Sequence, residues 1–85
     1  MVLPPFQELV DAYWRDVARL AHALAGPNDG EDCAQRVWVQ ALEAYPRLES
    51  ARNLRGWLLT ITRHAAIDGH RSRARQAVPV AEPGE

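Results

Sequence analysis

Apolar residues recur every three or four positions over three separate stretches of the chain, which is the period of an amphipathic helix and not of a strand. In the first stretch Phe6, Leu9, Val10, Tyr13, Val17, Leu20, Ala21 and Leu24 share a face and predict a helix over residues 5–25. Pro4 and Pro5 suit its start, because the N–H that proline lacks is unpaired in a first turn anyway. Gly26 and Pro27 stop it, since glycine suits a C-terminal cap and proline cannot extend the ladder. Asn28 then offers an N-cap with Glu31 three residues on, the spacing of a capping box, and Asp29, Glu31 and Asp32 set negative charge at the positive end of the next helix dipole.

The second stripe runs Ala34, Val37, Trp38, Ala41, Leu42 and Tyr45, and Pro46 ends it. Residues 46–53, PRLESARN, are polar and predict a loop with a short helical turn. A third helix begins between Ser50 and Asn53 and carries Leu54, Trp57, Leu58, Ile61 and Ala65 on one face. Gly56 and Gly69 each weaken it by about 1 kcal/mol relative to alanine, which predicts a bend or fraying there. Past Gln76 the sequence AVPVAEPGE has two prolines and no period, and predicts a disordered tail or the start of a linker over residues 77–85.

Three one-faced helices on short connections must pack those faces together, so the fold class is all-α, a small three-to-four-helix bundle over residues 1–76. The chain has 85 residues. That length buries only somewhat over ~60% of the unfolded surface and supports one core. Trp38 and Trp57 fall on stripes and belong to it, whereas Trp14 lies beside the stripe of the first helix and is partly exposed.

Charge changes the picture. The net charge is -1, but residues 1–51 hold eight acids and four arginines, while residues 52–76 hold Arg52, Arg55, Arg63, Arg71, Arg73 and Arg75 against Asp68 alone. An acidic half and a basic half point to two different partner surfaces, one of them suited to a polyanion. There is no lysine, so every side-chain cation other than histidine is the bidentate guanidinium.

Other classes are disfavoured. Cys33 is the single cysteine, and His22, His64 and His70 are scattered, which leaves no internal disulfide and no zinc spacing, and fits a reducing, cytoplasmic setting. The N-terminus lacks a secretory pattern, and no segment approaches ~20 consecutive apolar residues, so no membrane is implied. There is no glycine-rich phosphate loop, GxSxG or HExxH, and the carboxylates cluster at a helix start where capping explains them. No catalytic residue, metal or cofactor is predicted. Cys33 reads as a small residue at a helix interface.

The stretch GPNDGEDCAQRVWVQALEAYPRLESARNLRGWLLTITRHAAIDGHRSRAR resembles region 2 of the extracytoplasmic-function (ECF) branch of the sigma-70 family. Two motifs in the right order carry the likeness. One is the acidic cluster followed by a glutamine and an aromatic (Asp29, Glu31, Asp32, Gln35, Trp38); the other is WLLTITRHAAIDGHRSR with its trailing basic run. The resemblance covers about residues 6–76. It implies a transcription-initiation module whose second helix docks on the coiled coil of the beta-prime subunit of core RNA polymerase through Asp29, Glu31, Asp32 and Gln35, with Arg36 on the same surface. It implies also that the loop and the third helix bind the non-template strand of the promoter minus-ten element and melt it. Candidates there are Arg52, Asn53, Arg55 and His64, with Arg63, Arg71, Arg73 and Arg75 on the phosphates.

The sequence departs from the family in three places. Arg36 stands where the family commonly has glutamate, Cys33 replaces a larger aliphatic residue, and His64 stands where relatives have an asparagine lining the pocket for a flipped base. The family also carries a second domain, the helix-turn-helix region 4, which the tail over 77–85 would lead into. The alternative reading is a helical interaction module without a DNA role, a decoy that binds an anti-sigma factor or polymerase through its acidic and apolar faces.

Overall fold

In the computed structural model, residues 2–80 are described, with side chains through Ser72. Helix α1 spans Phe6–Ala25, α2 spans Gly30–Ala44, a 3-10 turn covers Tyr45–Arg47, and α3 spans Leu54–Val80. No strand occurs among the described residues. The three helices all contact one another, which is the all-α bundle that the three stripes predict.

The helices meet on Leu9, Val17 and Ala21 of α1, Cys33, Val37 and Ala41 of α2, and Leu54, Leu58, Ala65 and Ala66 of α3. Leu58, Val17 and Val37 are fully buried, each worth about 1.5–3 kcal/mol relative to exposure. Thr62 joins them although it is polar, because its Oγ1 donates to the Leu58 carbonyl at 2.8 Å and leaves no orphan donor in the core. Aromatic rings close one end. Phe6 lies edge-on to Trp38 and to Tyr45, Tyr45 lies beside Trp57, and the Tyr45 hydroxyl donates to the Pro4 carbonyl, holding the N-terminal segment down.

The α1 terminus follows the sequence. Gly26 takes φ 90°, a conformation glycine adopts freely, and its N–H donates to the His22 carbonyl at 3.0 Å. The start of α2 does not. Asn28 is no N-cap: Asp29 holds that position with helical dihedrals and makes no side-chain cap. The turn after Gly26 already bonds in the helical pattern, with the Gly30 N–H on the Gly26 carbonyl at 2.9 Å and the Cys33 N–H on Asp29 at 2.9 Å. Backbone carbonyls thus accept from the first turn of α2 without a side-chain cap.

Two residues of the expected stripes face outward. Leu42 is 56% exposed and Leu24 41% exposed. Each helix here has only two neighbours, so the core-facing arc is narrower than the arc of apolar residues. At the other end of the chain, α3 continues four residues past Gln76 to Val80, where the sequence predicts a tail. Residues 81–85 of that tail lie outside the described residues.

Candidate polymerase and nucleic-acid interfaces

Of the residues expected to dock on polymerase, Glu31, Asp32, Gln35 and Arg36 are exposed on α2, and Asp29 is not. Asp32, Gln35 and Arg36 line one depression together with Val39 and Gln40. Val39, 59% exposed, and Leu42 add apolar area to this side of the helix. Glu31 is exposed but does not line the depression, and Asp29 sits half-buried at the helix start, facing α3 beside Cys33, Ala65 and Gly69. The acidic surface is partly internally neutralised, because Arg36 Nη2 pairs with Asp32 Oδ2 at 3.2 Å one turn away.

Cys33 fills the place where α2 meets α3, among Ala65, Ala66 and Gly69. Burial pushes its thiol pKa up, partly offset by nearby Arg36. A protonated, buried thiol packs as a small hydrophobe, as the sequence predicts.

The loop is more ordered than its composition suggests. After the 3-10 turn the Leu48 N–H bonds the Tyr45 carbonyl at 3.1 Å, and the Arg52 N–H donates to Ser50 Oγ at 3.1 Å. Asn53 has φ 51°, a left-handed conformation that asparagine tolerates better than most residues, and its Oδ1 accepts the Gly56 N–H at 3.1 Å. Asn53, a candidate base reader, is therefore the N-cap of α3. Arg52 is exposed at the tip of this turn.

The arginines of α3 divide. Arg55 Nε pairs with Asp16 Oδ2 of α1 at 3.0 Å, which ties the start of α3 to the middle of α1. Arg63 is exposed and lines a groove with Arg55 and residues of α1. His64, the next residue, falls about 100° round the helix from Arg63, on the exposed stripe of Thr60. His70 Nε2 donates to the Leu24 carbonyl at 3.1 Å, at the end of α1. Arg71 follows it, exposed, on the part of α3 that runs beyond Ala25; the side chains of Arg73 and Arg75 lie outside those described.

Trp57 is half-buried against Tyr45, and Trp14 is half-exposed with the Arg15 guanidinium 5.3 Å from its ring, so both follow the sequence reading. The sequence missed Val39 and Arg19, which line the α2 and α1–α3 depressions. Arg19 carried a signal, as it stands three residues after Asp16 on one face of the first helix.

A buried three-helix core, with an exposed α2 face that mixes acidic and apolar residues and with Arg63 and Arg71 exposed on α3 and in no ion pair among the described residues, defines a small all-helical module. Its family follows from comparison: the sigma-70 region 2 model matches residues 9–76, and the chain belongs to that family. Within it, the chain is similar to the ECF RNA polymerase sigma factor SigX of Bacillus subtilis (strain 168), 36% identical over 69 residues, which cover 80% of this chain and 36% of SigX. The chain thus spans about a third of the length of that curated relative. No solved structure matches it.

Proposed function

We propose that the chain is the region 2 module of an ECF sigma factor, which docks on core RNA polymerase through α2 and captures the non-template strand of the promoter minus-ten element with the 46–53 loop and α3. The observation that carries this reading is the separation of two unlike exposed surfaces on one core. Asp32, Gln35 and Arg36 flank the exposed apolar pair Val39 and Leu42 on α2, an anchor with a polar rim. Arg52, Arg63 and Arg71 are exposed on the loop and on α3, with Arg73 and Arg75 further along the same helix.

Mechanistically, α2 meets the beta-prime coiled coil, which brings the loop and α3 to the promoter. Sequence in a melted strand is read by splaying a base from the stack, and Arg52 at the loop tip with Thr60 and His64 on the adjoining stripe of α3 offer the edges to meet it. Asn53 supports that surface by capping α3. Arg63 and Arg71, with Arg73 and Arg75 beyond, hold phosphates. The work is binding without bond chemistry, needs no metal or cofactor, and belongs in the cytoplasm with polymerase and DNA; an anti-sigma factor covering either surface would silence it.

The test is fluorescence anisotropy of a labelled non-template minus-ten strand against a scrambled strand of equal length, at low and moderate salt. Sequence-dependent binding that weakens as salt rises supports strand capture. Equal or absent binding overturns it and leaves the interaction-module reading, which the Arg36–Asp32 ion pair favours by moderating the acidity of α2. Neutralising Arg63, Arg71 and Arg73 together separates the two readings: strand capture loses DNA, whereas an interaction module keeps its partner.

A further inference from the structure

The acidic half of the sequence contributes a cation to the basic side of the fold. Between α1 and α3 runs a groove of about 270 Å³, lined from α1 by Asp16, Arg19, Leu20 and Ala23 and from α3 by Arg55, Leu59 and Arg63. Its single carboxylate is engaged, because Asp16 accepts from Arg55 at 3.0 Å. Arg19 and Arg63 are exposed and enter no ion pair among the described residues. Two uncompensated guanidiniums on opposite helices repel across the groove, and an anion between them relieves that repulsion while using their forked donors.

The lining also says what kind of anion. Leu20, Ala23 and Leu59 share the lining with the cations, so a fitting occupant combines negative charge with less polar groups. A single-stranded nucleic acid does so, with phosphates between sugars and bases. An acidic peptide also presents repeated negative charge, and that occupant is one arm of the test. Continuity decides for the strand: Arg63, on the α3 wall of the groove, lies on the same helix as Arg71, eight residues and about 12 Å along its axis, and the proposed function gives both to the phosphates.

We infer that Arg19 of α1 is a phosphate contact, and that the captured strand passes from α3 into the α1–α3 groove with its backbone held between Arg19 and Arg63. This inference rests on the strand-capture reading. Asp16 is then a positioning residue, fixing Arg55 at the groove mouth and leaving Arg19 and Arg63 free for the ligand.

The experiment measures binding of the whole chain to a labelled minus-ten single strand and to a scrambled strand across a salt series, for wild type, Arg19→Ala, Arg19→Lys and Arg63→Ala. Arg19→Ala is expected to weaken both strands about threefold to tenfold and to reduce the magnitude of the log–log salt slope by about 0.7, the signature of one lost phosphate on a single strand. Arg19→Lys, which keeps the charge, restores the slope. Circular dichroism melts matching wild type exclude a folding defect at this exposed position. Wild-type affinity and slope in Arg19→Ala, with Arg63→Ala impaired, overturn the inference and leave strand capture standing. A wild type that binds neither strand overturns both. Poly-glutamate of matched charge binding as tightly as the strand, with the same Arg19 dependence, overturns the assignment to nucleic acid.

Discussion

Asn53 and Gly56 are locked together at the start of α3: the Asn53 carboxamide oxygen accepts the Gly56 N–H at 3.1 Å, and a Cβ on Gly56 would come within 2.4 Å of Asn53 Nδ2 and 2.8 Å of its Cγ. The glycine is there so that the cap can close. Since the cap holds the loop that meets promoter DNA in the proposed function, the same pair ties local helix chemistry to the shape of the site.

A stability cycle follows from that pair. Asn53→Ala removes the cap and is expected to cost about 0.5–2 kcal/mol. Gly56→Ala in an ordinary helix interior gains up to about 1 kcal/mol from propensity, but here it pushes the cap aside and is expected to destabilise. In the double variant the obstacle is gone, so the alanine at 56 should recover stability relative to Asn53→Ala alone. Urea melts of the four proteins measure it, and a Gly56→Ala chain more stable than wild type would show that the cap yields freely.

Gly30 marks the other close approach. A Cβ there would stand 2.5 Å from the His22 ring and 2.8 Å from the His22 Cα, and the latter is backbone that cannot rotate away. Gly30→Ala is expected to destabilise by about 1–3 kcal/mol, the range for overpacking, despite improved helix propensity. His22→Ala in the same background removes the ring but not the Cα, so it should recover only part of the loss in thermal melts.

Local signals were legible in the sequence and long-range ones were not. The three apolar stripes place Val17, Val37 and Leu58 in the core, and Gly26 marks the end of α1, because periodicity and a positive φ are properties of a few adjacent residues. Leu24 and Leu42 read as core because a stripe says which face is apolar but not how wide the covered arc is. Asn28 read as a cap because its side chain suits one, while the turn after Gly26 puts Asp29 at the cap position and bonds Gly30 back to Gly26. Arg55 read as a candidate strand contact, and its ion-pair partner Asp16, 39 residues away, was not legible. Arg19 counted toward an acidic half, and only the fold brings it beside Arg63. The site was therefore legible as a list of residue types, and the structure sorts that list into caps, ion pairs and free cations.

Alkaline pH should unsettle the core. Burial raises the folded-state pKa of the Cys33 thiol above its ordinary 9.0, and burial with the nearby Glu8 carboxylate raises the Tyr45 phenol above 10.0. The unfolded chain therefore loses these protons first, and the stability they represent is fully present below about pH 9 and falls as pH climbs past each unfolded value. Cys33→Ala should remove the lower of the two steps. Urea midpoints from pH 7 to 11 test this; a midpoint that rises above pH 9 would contradict the assignment.

Arg36 is the most informative single position on α2. It pairs with Asp32 at 3.2 Å on an exposed face, a contact worth about 0.3–0.5 kcal/mol at most. Arg36→Glu restores the charge common in the family and trades that attraction for an i,i+4 repulsion of similar size, so the fold should lose less than about 1 kcal/mol. Docking moves the other way in the proposed function, because Asp32 is released and the face beside Val39 and Leu42 becomes uniformly acidic. Affinity for a beta-prime coiled-coil fragment is expected to rise several-fold at low salt, mainly through faster association, and the gain should shrink as salt increases. Leu42→Ser, which removes apolar area without touching charge, is expected to weaken the same binding at every salt concentration. If Arg36→Glu weakens docking while the chain stays folded, the arginine itself contacts the partner, and the surface it meets carries a matching carboxylate.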